Sequence, residues 1–582
     1  MISRNIKRVA IVTLILITGV ISAGYILRKE SDDFRLVKNL DIFYSLIREL
    51  NTFYVDGIDP EALIHTGIDE MLETLDPYTV YYAESDMDDL RFMTTGKYGG
   101  VGSLIRKEGD YAVLTQIYRD FPADKAGLKA GDLLLEIDGT SLKGLPVEEI
   151  SNRLKGDPGT DLILKIRRGE EEISARLTRK RISIPPVPWF GMIDSNTGYI
   201  RFTNFTQDCS NDVRSALETL KEKHGATSII LDLRGNPGGL LPEAVKIVNL
   251  FVGPGHEVVS TRGKVNQYDG TYKTTSRAVD EEIPLVVMIN NNSASASEIV
   301  AGAIQDLDRG IIVGQRSYGK GLVQISRPLS YNTSLKVTTA KYYIPSGRCI
   351  QALDFAHRNE DGSVGYIPDS LTSEFKTRNG RIVKDGGGIL PDYPVESMRL
   401  SQIATELYLR SYIFDYATIF SRRHDTLSPP GKFSVTEEEY SQFTDYIKSR
   451  NFSYRSATSV ALERLESIAR QEKYYETEKE LFDSLSKSLG QNIDKDLDLF
   501  REEIKKLLED EIIGRYYYEE GVIIHTLKDD NQLKRAVEVL NDKSLYSSTL
   551  NGSAGSLTSS VISKTFSVNR LNISNYGISI SC

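Results

Sequence analysis

An apolar strand that runs into a string of small residues and then into an apolar helix constrains this chain more than any other feature. Leu285-Val286-Val287-Met288-Ile289 is the strand, and Asn290-Asn-Asn-Ser293-Ala294-Ser295-Ala296-Ser297-Glu298 is the turn before the helical run. Strands and helices alternate in this way from Ile182 to about Val395, as in an α/β domain. Tyr199–Phe202 and Ser228–Arg234 are expected as buried strands. The second of them enters Gly235-Asn236-Pro237-Gly238-Gly239 and then a helix from about Leu241 to Phe251.

The chemistry of these turns follows from their backbone. Ser297 and Glu298 are expected to cap the helix. Ser295 then stands where N–H groups are unpaired and the helix dipole favours negative charge. A serine nucleophile needs that environment, because attack on a carbonyl generates an oxyanion. Glycines at the other turn leave N–H groups to aim at an anion, making Gly238 or Gly239 a candidate second donor beside Ala296. Downstream, Lys320 is flanked by Gly319 and Gly321. A Ser-Lys hydrolase is one reading; an ordinary small-residue loop is the plain alternative. Gly314 to Lys320 also fits a phosphate-binding loop, but Gly321 stands where Ser or Thr should hold magnesium. Leu322–Ser326 moreover reads as a strand where that loop requires a helix. Asp232 and Arg234 are expected to pair structurally.

Lysine titrates near 10.4 in water, so serving as a base at neutral pH requires roughly three units of lowering by burial. Lys320 and Gln324 differ by an even number, so on a strand they face the same way and the Gln324 carbonyl can orient the amine. The six histidines are scattered and there is no G-x-S-x-G elbow. No metal site or cofactor motif is visible.

A length of 582 residues suits three or four domains, and a net charge of −10 without a basic block argues against nucleic acid. Cys209, Cys349 and Cys582 lack metal-ligand spacing and make a poor disulfide framework. Arg4, Lys7 and Arg8 precede an uncharged apolar run at 9–27. Nineteen helical residues span roughly 28 Å, close to a bilayer's hydrocarbon thickness. Residues 1–30 are therefore expected to be a signal anchor in the inner (plasma) membrane or a removed signal peptide. Both place the rest in the cell envelope, periplasmic or extracytoplasmic.

Residues 34–95 are expected to be helical. From 97 to 180 the rhythm is of short strands, with Ala126-Gly127-Leu128-Lys-Ala-Gly131-Asp132-Leu-Leu-Leu-Glu-Ile137-Asp138-Gly139 at its centre. Val147–Leu154 is expected as a short helix there. This unit resembles a PDZ domain of the protease-associated kind. The resemblance implies capture of a peptide C-terminus by strand addition, its carboxylate held at Gly99, Gly100, Val101, Gly102, Ser103 and Leu104. Arg167 has a solvated role as its default. Residues 396–542 are expected as a charged helical appendage, and 543–582 as a weakly ordered tail rich in Ser, Asn, Gly and Thr.

Ser-Ala-Ser-Ala-Ser-Glu-Ile, Gly-Lys-Gly-x-Val-Gln and Asp-Leu-Arg-Gly-Asn-Pro-Gly-Gly, behind a PDZ-like unit, together resemble the carboxy-terminal processing (tail-specific) peptidases. Leu75-Asp76-Pro77-Tyr78 and Tyr343-Ile-Pro345-Ser-Gly347-Arg348 agree. The resemblance implies an α+β multidomain protein, its PDZ domain set before a crotonase-like α/β core at 181–395. It also implies Ser295 as nucleophile, Lys320 as base and Gln324 as the residue that positions the lysine. Partners would be protein or peptide substrates with accessible tails, and an adaptor protein and a homodimer are left open. A catalytically silent PDZ scaffold is the alternative.

Overall fold

The computed structural model describes residues 33–552, apart from 360, 398, 490 and 491. The apolar run at 9–27 and residues 553–582 lie outside the described residues. No helix among the described residues is long and apolar enough to cross a membrane. The described residues fall into two units, the smaller comprising residues up to Tyr81 with Leu335–Val337. It holds a helix over residues 33–53 and a second over Pro60–Glu73. Asp59 caps the second by accepting from the N–H groups of Glu61 and Ala62, ahead of proline at the first helical position.

Within the larger unit, the first domain is an antiparallel sheet in the order Ser103–Glu108, Tyr111–Ile117, Leu133–Ile137, Asp161–Arg168 and Glu171–Thr178. The expected tight turn is present: Asp138 and Gly139 both have positive φ, and Ile137 pairs with Thr140 across them. The helix at Val147–Leu154 closes the core through Ile150 and Leu154, which share a cluster with Ile105. Ser103–Glu108 is an edge strand, so one row of its backbone groups has no strand partner among the described residues. Arg167 is exposed, in keeping with a solvated role.

The next domain is built on a six-stranded sheet ordered Trp189–Met192, Thr197–Arg201, Ser228–Asp232, Leu285–Ile289, Ile311–Gly314 and Tyr393–Pro394. The first pair is antiparallel and the rest are parallel. Side chains alternate between its faces. Leu285, Val287 and Ile289 join the helices Cys209–Glu222, Leu241–Val248 and Ala296–Asp306 on one side. Val286, Met288, Ile311 and Val313 face the other way, where a parallel sheet also requires cover.

That cover comes from the end of the chain. Leu533, Ala536, Val539 and Leu540, on the helix Asn531–Asn541, are buried against the second face. Burying a Leu or Val side chain is worth roughly 1.5–3 kcal/mol. This part of the charged C-terminal region therefore covers the core's second face and is not the solvated appendage expected. The first residues of the expected weakly ordered tail, Lys543–Leu550, likewise form a helix. Asp542 caps it, Leu545 and Leu550 pack on the sheet, and Tyr546 donates to the Leu285 carbonyl. Upstream, Tyr412–Arg423, Glu437–Ser449 and Arg501–Thr526 enclose a separate helical core around Phe443, Ile504 and Ile513.

Candidate active site

The helix after the small-residue turn starts at Ala296; Glu298 caps it as expected, by accepting from the Ser295 N–H, whereas Ser297 lies inside the helix. Ser295 is its N-cap, with φ 56° and ψ −115°. Such a conformation is rare for a residue other than glycine and is typical of functional turns. The three serines of the turn are distinct. Ser293 and Ser297 are buried, their hydroxyls donating to the carbonyls of Leu233 and Asn236. Ser295 is partly exposed and its side chain makes no cap hydrogen bond.

Glu298 is fully buried one turn into the helix. Its Oε2 accepts from the Ser295 N–H at 2.8 Å and from the Lys320 N–H at 2.9 Å. Its Oε1 accepts from the Gly319 N–H at 2.7 Å and from the Ser317 hydroxyl at 2.5 Å. Tyr342 makes a second bridge, its hydroxyl lying 3.2 Å from the Ser295 carbonyl and 2.6 Å from that of Lys320. A third tie runs from the Tyr318 N–H to the Ser293 carbonyl at 3.0 Å. The backbones of Ser295 and Lys320 are thus fixed side by side although they are far apart in sequence. Burial raises the Glu298 carboxyl to about 7, against the lowering effect of the hydrogen bonds from Ser317, Lys320, Gly319 and Ser295.

The glycine-rich turn lies against the same serine. A Cβ built on Gly238 would meet the Ala294 carbonyl at 2.6 Å and the Ser295 Cβ at 2.8 Å, so only glycine fits there. Asn236 joins the two turns. Its carbonyl accepts from the Ala294 N–H and the Ser297 hydroxyl, while its side-chain amide donates to the Phe202 carbonyl. Its Oδ1 accepts from the Gly238 N–H at 2.9 Å, so that N–H is not free for an oxyanion. Among the described residues, the N–H groups of Gly239 and Ala296 make no hydrogen bond.

Lys320 precedes the strand Leu322–Pro328, so the same-face relation with Gln324 is not that of two residues within one strand. Gln324 donates from Nε2 to Thr338 Oγ1 at 3.1 Å. Asp232 and Arg234 pair as expected, with Arg201 and Tyr199 joining them. Burial alone would raise Asp232, but the charges of Arg234 and Arg201 hold it below the usual carboxylate range. Of the six loop residues expected to hold a peptide carboxylate, Gly99 and Gly100 belong to a ribbon paired with Lys180–Ser183. Val101 and Gly102 form the turn, and Ser103 and Leu104 open the edge strand.

Glu298, Asn236 and Tyr342 were not legible as site residues. Glu298 carried a local signal, but one that pointed to a cap; nothing near Tyr342 marked it.

Three family matches agree with this architecture: a PDZ domain at residues 113–168, peptidase family S41 at 196–356, and a probable PDZ-protease C-terminal helical domain at 403–540. The chain is 36% identical over 321 residues to the carboxy-terminal-processing protease of Bartonella bacilliformis, covering 54% of this chain and 73% of that protein. It is 32% identical over 317 residues to a probable CtpA-like serine protease of Staphylococcus aureus, covering 54% of this chain and 62% of the relative. Among solved structures it is similar to a photosystem II D1 C-terminal processing protease, with 28% identity, TM-score 0.34, and coverage of 61% and 86%. The chain belongs to the carboxy-terminal-processing proteases of peptidase family S41, serine-type peptidases, with a PDZ domain before its peptidase domain and a helical domain after it.

Proposed function

We propose that this chain is an exported endopeptidase that takes substrates by their C-terminal tails and cleaves them with Ser295 and Lys320. In this reading the neutral Lys320 amine accepts the proton of Ser295 Oγ as that oxygen adds to the scissile carbonyl carbon. The N–H groups of Ala296 and Gly239 receive the oxyanion, and the C–N bond breaks as Lys320 returns the proton to the leaving amine. Water, deprotonated by the same amine, then releases the acyl group from Ser295. Gln324 shapes the lysine's surroundings from the following strand. The observation that carries this reading is the double bridge. One carboxylate oxygen of Glu298 accepts from the N–H groups of both Ser295 and Lys320, and the Tyr342 hydroxyl, 2.6 Å from the Lys320 carbonyl, lies 3.2 Å from that of Ser295.

Substrate tails enter by adding a strand along Ser103–Glu108, with the terminal carboxylate at Val101–Leu104. The free edge and the glycine turn support this. The basic residues before the apolar run at 9–27 support export and a membrane tether.

Cleavage of a C-terminally tagged peptide library, with products sequenced, tests the reading. Ser295→Ala and Lys320→Arg should each lower turnover by about 10⁴-fold or more while tail binding persists, since guanidinium does not deprotonate at working pH. Wild-type turnover in either variant would overturn the dyad. Tail binding without cleavage by the unmodified protein would establish the silent scaffold instead.

A further inference from the structure

Gln324 is not aligned with Lys320 by the pleat of its own strand, because Lys320 lies before that strand begins. What holds its side chain is the neighbouring strand. Leu322–Pro328 and Ser334–Tyr343 pair as a hairpin. The Leu329 N–H donates to the Thr333 carbonyl beside the turn, and the Tyr342 N–H donates to the Gly321 carbonyl at the far end. That register sets Gln324 across from Thr338, and cross-strand neighbours of this kind have side chains close enough to interact. They do so here: Gln324 Nε2 donates to Thr338 Oγ1 at 3.1 Å, and both residues are half-buried.

Thr338 is on the face of its strand that serves the catalytic turn. Tyr342 lies four residues on, so the two side chains point the same way. Tyr342 is buried, and its hydroxyl lies 2.6 Å from the Lys320 carbonyl and 3.2 Å from that of Ser295. One strand face thus carries a hydroxyl that holds the backbone of the dyad and a second hydroxyl that holds Gln324. Which end of the amide Thr338 takes decides what the other end can do. A carboxamide has an acceptor oxygen and a donor nitrogen on one carbon, and a half-turn about its last bond exchanges them. A neutral lysine amine that aims its lone pair at a serine hydroxyl has N–H groups left to donate. It needs the amide oxygen and gains nothing from the NH2 group. The bond from Nε2 to Thr338 leaves Oε1 as the free end of the amide.

We propose that Thr338 is a positioning residue for the proton transfer. By binding Gln324 Nε2 it fixes the amide with Oε1 toward the Lys320 amine, so that the lone pair of the amine is presented to Ser295. The proposal rests on the Ser295–Lys320 reading above. A structural role alone would pin one strand to the next, and the backbone bonds of the hairpin already do that.

The test labels the full chain, kept in detergent, with a serine-reactive diphenyl phosphonate. The maximal labelling rate of Ser295 reports activation of the nucleophile, and the half-saturating concentration reports binding of the probe. Thr338→Val keeps a β-branched side chain suited to a strand and removes only the hydroxyl. It should lower the maximal rate by about tenfold, the scale of one hydrogen bond lost from a polar group, with half-saturation little changed. Thr338→Ser, which keeps the hydroxyl, should retain most of the rate. Gln324→Ala should lower the rate at least as far as Thr338→Val. Adding Thr338→Val to Gln324→Ala should then lower it no further, because the threonine acts only through the amide. An unchanged rate in Thr338→Val, an equal loss in Thr338→Ser, or a further loss of the same size in the double variant would overturn the role of Thr338 and leave the dyad in place. A rate untouched by Gln324→Ala would remove Gln324 from the site, and Thr338 with it. Absence of any label on Ser295 in the unmodified protein would overturn the Ser-Lys reading itself.

Discussion

The turn at Asn290–Glu298 and the C-terminal stretch from Glu396 to Leu550 differ in where their information lies. In the turn, the residues that matter are neighbours in sequence. A strand, small residues, a serine and a helix start suffice to single out Ser295, and of the three serines in the turn the structure leaves that one partly exposed while Ser293 and Ser297 are buried. In the C-terminal stretch the decisive relations join residues hundreds of positions apart, such as Leu533 and Val286, which share one buried cluster, or Tyr518, whose hydroxyl donates to Asp124. Local pattern therefore marks a candidate serine well and mutual support poorly.

The largest expected effect lies in the turns. Gly238→Ala forces a side chain into the backbone around Ser295 at a residue with φ 100°, and turnover should fall by about 10³-fold, the scale of losing an oxyanion donor. Near-normal cleavage by that variant would show that the two turns are not locked together. Leu533→Asp then tests the other region. A carboxylate placed against Val286 and Met288 should cost about 3–5 kcal/mol, read as a lowered denaturation midpoint of the peptidase core. A midpoint unchanged from the parent would return the C-terminal helices to the status of an appendage.

Glu298 joins the two kinds of information, and its titration sharpens the comparison. Its folded pKa of about 7 is above the ordinary glutamate value. The folded state therefore holds the proton more tightly than the unfolded one, and Glu298 costs stability as pH rises from about 4.5 to about 7. The ionised carboxylate is the better acceptor for the N–H groups of Ser295, Gly319 and Lys320, so activity should rise through the same interval. Glu298→Gln should lose about 10–100-fold in kcat and abolish that limb of the pH profile. A profile unchanged near neutrality would remove Glu298 from the account. The smallest effect expected is from chelators, which should leave cleavage unchanged; loss of activity restored by zinc would require a different chemistry.

How far the sequence reached follows from these particulars. The PDZ string, the Asp138-Gly139 turn and the alternating strands of the core were all legible, because propensity and pattern act over a few residues. Gly238 reads in sequence as a candidate oxyanion donor, but its N–H is already engaged by Asn236, whose side chain must be located in space to be counted. The helix Asn531–Asn541 carried an apolar face at Leu533, Ala536, Val539 and Leu540, a signal that could have been used. What it covers is set by which sheet face remains open, and no local pattern states that. Glu298 looked like a cap because the loop it also holds, Ser317 to Lys320, returns only through the fold.

The central claim is that Lys320 activates Ser295. Its most direct measurement is peptide-level mass spectrometry after exposure to a serine-reactive phosphonate, on the unmodified protein and on Lys320→Arg. A single adduct on Ser295 in the unmodified protein, absent or formed far more slowly in Lys320→Arg, is the predicted result. An adduct on Ser293 or Ser297, or labelling of Ser295 at an equal rate in both proteins, would contradict it.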